Sequence, residues 1–337
     1  MLTETRPARE MELPARVAEP AVSVLMAVRN GAAYLDESLA SLAAQTFEDF
    51  EIVIVDNGST DGTAAIIRDW ARREPRLRAF RLEQRGVSAS RNLAVAEARA
   101  PLLAPLDSDD LALPHRLAVQ VAAMNARPDL ALLGSAVELI DGRGRRIGSL
   151  RFPPGDAELR TFLREERVFA HSSVIMRRDA FLAAGGYRAG LALAEDFDLW
   201  LRMADQGRIA ILPEPLARYR MHDRSTTARG RVRQAIALGC VRAAGEARRL
   251  GLPEPFRRGV PLLRAALPLL GVTRGAFRRH VRLTAFRLAV SRLYLKLPVP
   301  PAVKGALRAV AVRLGLRDVY VLALRQWLAF SRLRTER

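Results

Sequence analysis

Three carboxylates fall within four positions in Asp107-Ser108-Asp109-Asp110, directly after the apolar run Leu102-Leu103-Ala104-Pro105-Leu106. Such a run reads as a buried strand, and a packed domain has no structural use for that much negative charge at a strand end. Charge so concentrated calls for a cation. Oxygen-only ligands favour Mg²⁺ or Mn²⁺, ions that bridge protein carboxylates to substrate phosphates. A further carboxylate, Asp56, closes the run Phe-Glu-Ile-Val-Ile-Val-Asp, and Glu195-Asp196 opens a helix-like segment that also carries Asp198. Taken alone, an Asp-x-Asp segment is equally well a solvated turn or a helix cap before Pro114. The surrounding elements must decide.

Those elements alternate. Apolar β-branched runs at 21–28, 50–56, 77–82 and 102–106 predict strands, and the helical periodicity between them predicts a β-α-β-α-β-α-β order. Ser59-Thr60-Asp61 supplies N-cap residues for one of those helices. The order implies an α/β fold with a mostly parallel sheet and helices on both faces, and right-handed crossovers put the loops after the strands on one edge, where ligands bind. Beyond Pro114 the rhythm changes. Helices are expected at 114–126, 156–166, 178–184 and 195–206, a hairpin-like pair at 130–140 and 146–152, and strands at 171–176, 208–212 and 216–221. Gly142-Arg143-Gly144-Arg145-Arg146-Ile147-Gly148 imitates a dinucleotide loop, but its spacing is wrong and no helix follows, so it reads as a hairpin turn. His171 reads as a hydrogen-bonded structural residue, His115 and His280 as surface, and Asp198 as a helix N-terminal carboxylate. Trp200, Met26, Met124, Met176 and Met203 read as core.

Length and charge set the wider frame. The 337 residues, 50% of them hydrophobic and 27% charged, suffice for a large domain with an appendage. A single cysteine, Cys240, rules out an internal disulfide, and four scattered histidines lack zinc-site spacing. The net charge of +18 is not evenly spread: residues 228–337 hold 24 basic against 4 acidic residues, and the remainder 30 against 32. That tail interleaves Phe277, Phe286, Tyr294, Tyr320 and Trp327 with arginines, a pattern suited to an anionic membrane interface. Packing of its helices on one another or on the catalytic domain ranks just behind membrane contact, and nucleic acid comes third for want of a stacking platform. No apolar run is long enough to span a membrane, since Arg264 breaks the best candidate, and residues 1–20 mix Glu, Arg and Pro without the apolar core of a secretory signal. A flexible segment at 1–20, a catalytic domain at 21–227, a basic helical extension at 228–337 and a reducing cytoplasm are the resulting expectations.

The stretches V-S-V-L-M-A-V-R-N-G-A-A-Y-L, S-L-A-A-Q-T-F-E-D-F-E-I-V-I-V-D-N-G-S-T-D-G-T, L-D-S-D-D-L-A-L-P-H-R-L and A-E-D-F-D-L-W-L-R-M are together far more specific than any one of them. In this order they resemble the family 2 glycosyltransferases of GT-A fold, over about Ala21 to Thr227. The resemblance implies a nucleotide-sugar donor, UDP-linked, whose base and ribose lie against Ala27, Arg29, Asp56 and Asn57. Many relatives have Pro, Tyr and a second Asp where this chain has Ala27, Arg29 and Asn57. It further implies that Arg91 and Asp107 contact the donor, that Asp109 and His222 hold Mn²⁺ or Mg²⁺, and that Asp196 is the general base.

The chemistry so implied is an inverting transfer. The cation neutralises the departing diphosphate, while Asp196 takes the proton of an attacking hydroxyl on a glycan or lipid-linked acceptor in cell-envelope polysaccharide synthesis. Two alternatives stand beside it. Nucleotidyl transfer to a sugar phosphate would need a richer phosphate loop than Ala27 to Ala32 offers, and a non-catalytic scaffold would have no use for Asp109 and Asp196.

Overall fold

The first strand of the parallel run, β2 (Val22–Val28), is buried along almost its whole length, as expected of a strand covered on both faces. The computed structural model describes residues 9–10, 19–83, 86–164, 169–189, 191, 193–223, 225 and scattered positions between 234 and 249. A two-residue strand, β1 (Arg9–Glu10), precedes β2. Then follow α1 (Leu35–Ala43), β3 (Phe50–Asp56), α2 (Thr63–Arg73), β4 (Leu77–Arg81), α3 (Val87–Glu97), β5 (Leu102–Pro105), β6 (Leu111–Ala112) and α4 (Arg116–Ala126). The remaining elements are β7 (Leu130–Asp141), β8 (Arg146–Leu150), α5 (Asp156–Arg164), β9 (Ile175–Arg177), α6 (Arg178–Ala183), α7 (Glu195–Gln206) and β10 (Arg208–Met221).

One sheet runs β1-β4-β3-β2-β5-β9-β7-β10-β6, with β8 paired to β7. The β4-β3-β2-β5 portion is parallel, as the alternating pattern predicts. The chain builds outward from β2 to β4, then crosses through α3 to lay β5 on the other side of β2. That reversal makes the carboxyl ends of β2 and β5 a topological switch point, where such sheets open a crevice. The second half adds antiparallel pairings of β9 with β5 and β7, while β7 and β10 run parallel. The main core lies on one face, with Val24, Met26, Ile52 and Ile54 of the strands packed with Leu35, Leu39 and Leu42 of α1 and Leu117 and Met124 of α4.

Three expectations need correction. His171 does not open a strand; His171–Ser173 is a single 3₁₀ turn, and the strand begins at Ile175. The two strands expected at 208–212 and 216–221 are one, β10, whose register slips between Leu212 and Pro215 and again between Pro215 and Ala217. Prolines cannot donate to the ladder, so Pro213 and Pro215 bend the strand without ending it. The helix after Ser59-Thr60-Asp61 has Gly62 at its cap position, with Asp61 accepting from the Thr63 N–H at 3.1 Å. Gly207, between α7 and β10, is fixed by close approach: a Cβ there would lie 2.6 Å from the Ala131 Cβ.

The chain divides into two compact units, Met1–His222 and Asp223–Arg337. In the second, the described positions from 234 to 249 are helical, with Ala237, Val241 and Ala244 buried. His280 and the amphipathic stretches from Phe277 onward lie outside the described residues. Among the described residues no helix is long and apolar enough to cross a membrane.

Candidate active site

β3 delivers Asp56 to the carboxyl edge of the sheet, fully buried. Its Oδ1 accepts the Ser59 N–H at 2.9 Å, whereas Oδ2, also buried, has no hydrogen-bond partner among the described residues and lies 3.9 Å from Arg81 Nη1. A buried acceptor without a donor costs free energy unless a ligand supplies one, so this oxygen fits a base N–H. Asn57 spends its side-chain oxygen on the Gly86 N–H at 3.3 Å, which ties this loop to the start of α3. Ala27 sits inside β2 opposite Val55 rather than in the loop after it, and Arg29 is exposed.

The acidic loop after β5 is organised from beneath. Asp110 is 1% exposed; its Oδ2 accepts from Ser172 Oγ at 2.5 Å and its Oδ1 from the Arg220 N–H at 2.8 Å. Ser172 Oγ also accepts the Asp107 N–H at 3.0 Å, so one buried pair fixes both ends of the loop. Asp107 Oδ1 then faces Arg91 Nη2 at 2.8 Å and His171 Nδ1 at 3.0 Å. Arg91 reaches onward to Glu195 Oε1 at 2.5 Å, joining the Asp-x-Asp loop to the start of α7, where Asp196 sits next to Glu195. On the other flank His222 Nε2 lies 2.9 Å from Asp109 Oδ2.

Matches to known proteins agree with this geometry. Residues 23–183 match the model of glycosyl transferase family 2. The chain is 34% identical over 209 residues to the O-antigen biosynthesis glycosyltransferase WbnJ of Escherichia coli, a match covering 61% of this chain and 81% of that one. The chain belongs to glycosyl transferase family 2. Among solved structures, S. aureus TarS 1–349 in complex with UDP-GlcNAc superposes with TM-score 0.58 at 19% identity, over 91% of each chain. The mannosyltransferase PcManGT of Pyrobaculum calidifontis, in complex with GDP-Man and Mn²⁺, gives 0.57 at 21% identity, over 95% of this chain and 90% of that one. The glycosyltransferase therefore has the GT-A fold, and family membership decides for sugar transfer over nucleotidyl transfer and over a non-catalytic scaffold.

Electrostatics set the carboxylates of this glycosyltransferase apart from one another. Burial works against the Asp107 anion, but the charges of His171 and Arg91 and their hydrogen bonds hold it well below the usual carboxylate range. Asp109 is pushed up by burial and by Asp107, against the hydrogen bond from His222. Asp196 is likewise pushed up by burial and then by the charge of Glu195, with His171 and Arg91 opposing. A carboxylate raised in this way is a better proton acceptor than a free one.

A divalent ion would have two protein ligands here. Among the described residues no group of three or more His, Cys, Asp or Glu side chains is arranged to hold a metal. Asp109 Oδ2 and His222 Nε2 supply one carboxylate and one imidazole, a donor set compatible with Mn²⁺ that leaves most positions for phosphate oxygens and water.

Residues whose part the sequence did not disclose complete the site. His171 is hydrogen-bonded as expected, and both its partners are site residues: Asp107, and Tyr187 Oη at 2.9 Å from Nε2. Asn92 clamps Tyr187, donating to its carbonyl at 2.7 Å and accepting its N–H at 3.0 Å. Asp198 lies in the first turn of α7, as expected of a helix N-terminal carboxylate, and is in addition a buried ion-pair centre, 2.6 Å from Arg202 Nη2 and 3.6 Å from Arg188 Nε. Arg202 turns its other donors to the carbonyls of Ala184 and Gly186, fastening α7 to the end of α6. Ala194, just before Glu195, holds a left-handed φ of 62° with no glycine to ease it.

Proposed function

We propose that the glycosyltransferase moves a sugar from a UDP-linked donor to a hydroxyl of a glycan or lipid-linked acceptor, with inversion, in the assembly of a cell-surface polysaccharide. The Arg91 bridge carries the reading: one guanidinium joins Asp107 and Glu195, residues 88 positions apart, and so draws the donor loop and the base-bearing helix into one cleft. Asp56 Oδ2 takes the base N–H, with Asn57, Ala27 and Arg29 around the nucleoside. Asp109 and His222 hold a divalent ion, Mn²⁺ or Mg²⁺, which when bound offsets the charge growing on the diphosphate. Arg91 and Asp107 fix the donor's position. Asp196 takes the acceptor proton, work worth roughly 10²–10⁴ in rate. WbnJ's O-antigen assignment and the nucleotide-sugars bound by TarS and PcManGT support the substrate class. The basic sequence beyond residue 227 suits a lipid-linked acceptor, because it would hold the enzyme at an anionic cytoplasmic membrane face.

The test is a panel of nucleotide-sugars with glycan and polyprenyl-linked acceptors, with Mn²⁺ or Mg²⁺ and with chelator, the product anomer read by NMR. Metal-dependent transfer that turns an α-linked donor into a β-linkage is the expected result. A product retaining the donor configuration overturns the assignment of Asp196 as base for a direct displacement, and undiminished turnover with chelator overturns the metal assignment.

A further inference from the structure

A metal-binding imidazole ordinarily donates its second ring N–H to an acceptor that fixes its tautomer and angle. Among the described residues His222 has none: its Nε2 faces Asp109, and its buried Nδ1 has no hydrogen-bond partner there. The ring is held by another surface. Tyr34, at the start of α1, lies against it with ring centroids 4.7 Å apart and the planes at 57°. The Arg220 guanidinium covers Tyr34 at 4.7 Å from its ring centroid.

Arg220 cannot drift, because it is 2% exposed and its donors are spent. Nη2 reaches Glu37 Oε2 at 2.6 Å, Nε reaches the Asp109 carbonyl at 2.8 Å, and the backbone N–H reaches Asp110 at 2.8 Å. Gly142, in the turn between β7 and β8, leaves room for the stack: a Cβ there would stand 3.3 Å from Tyr34 Oη and 3.7 Å from the His222 Cβ. Arg220 and His222 therefore both lie against the Tyr34 ring, and both are tied to the loop that presents Asp109.

We infer that Tyr34 is a positioning residue, whose ring, in contact with both Arg220 and His222, aims the imidazole at the ion-binding side of Asp109 in place of a hydrogen bond to Nδ1. The inference rests on Asp109 and His222 holding the ion of the donor complex. Tyr34 touches neither donor nor ion in this scheme; its aromatic face is what matters, and its hydroxyl is dispensable.

The full-length chain with UDP is titrated with Mn²⁺ and free Mn²⁺ read by electron paramagnetic resonance, a measurement independent of turnover. Tyr34→Leu is expected to weaken Mn²⁺ binding by about 10- to 100-fold, the range typical of lost orienting partners. Tyr34→Phe, which keeps the ring, is expected to match the unaltered chain. Tyr34 is half-buried, so leucine retains apolar contact, and Tyr34→Met replaces it if that variant does not fold. Unchanged Mn²⁺ affinity in Tyr34→Leu, with His222→Ala weakened, overturns the positioning role and leaves the ion site standing. An unchanged His222→Ala overturns the ion site itself, and the inference with it.

Discussion

Replacing Arg91 with methionine removes the cation between two carboxylates and keeps most of its bulk. Glu195 is 10% exposed, Arg91 12% and Asp107 30%, so the first carboxylate is left dry and the second partly wetted. Breaking a buried pair from one side costs about 3–5 kcal/mol, because an uncompensated charge stays behind. Water reaching Asp107 places this case at the lower end, about 3 kcal/mol. In a domain of this size about 1 kcal/mol moves the melting midpoint by about 2–4 °C, which gives a fall of about 6–12 °C. Differential scanning calorimetry measures it. The double variant Arg91→Met/Glu195→Gln should recover part of that loss, since a neutral amide at 195 needs no counter-charge, while transfer stays depressed because the donor loop has lost its anchor. A single variant melting within about 2 °C of the unaltered chain would refute the bridge as the element that unites the site.

Other expectations follow from single groups. Asp196 must be ionised to accept a proton, and burial with Glu195 beside it raises its pKa, so kcat/KM should climb with pH through a value above the ordinary carboxylate figure of about 3.9. Glu195→Gln removes a neighbouring negative charge and should move that limb to lower pH; a limb that stays in place or moves up dismisses Asp196 as the titrating base. Asp56→Ala should weaken UDP binding about 10- to 100-fold by calorimetry, the worth of one hydrogen bond to a charged group, and an unaltered Kd would remove Asp56 from the nucleoside pocket. The full-length protein should sediment with vesicles containing anionic lipid and be released at about 1 M salt, where the Debye length is about 3 Å. Equal sedimentation with neutral vesicles would dismiss the electrostatic reading of the basic tail.

Much of the framework was legible from pattern alone. Phe50–Asp56 is a buried strand because its centre, Ile52-Val53-Ile54-Val55, is wholly apolar and β-branched, and Glu195–Gln206 is a helix because its apolar period is clear and acidic residues crowd its first turn. Carboxylates at strand ends pointed to the site because nothing in packing calls for them there. What stayed hidden was pairing over long separation. The Arg220–Glu37 contact spans 183 positions and the Arg91–Glu195 contact 104, and neither arginine differs in sequence from the chain's many surface arginines. Arg91 in particular is marked only by the resemblance, as a donor contact; nothing in the pattern shows that the sheet brings Asp107 to it. β6, two residues long, pairs with β10 and is too short to leave any period in the sequence.

The bend at Gly207 links two of these groups more tightly than their chemistry would suggest. α7 carries Asp196 about 16 Å from that bend at 1.5 Å per residue, and β10 returns the chain to His222. The proposed proton acceptor, Asp196, and the proposed ion ligand, His222, would thus be the two tips of a single tweezer whose crook is wedged on Ala131. A side chain introduced at 207 must push the crook away from β7, and both tips then shift in concert. Damage remote from every reacting atom would be felt at both halves of the reaction at once.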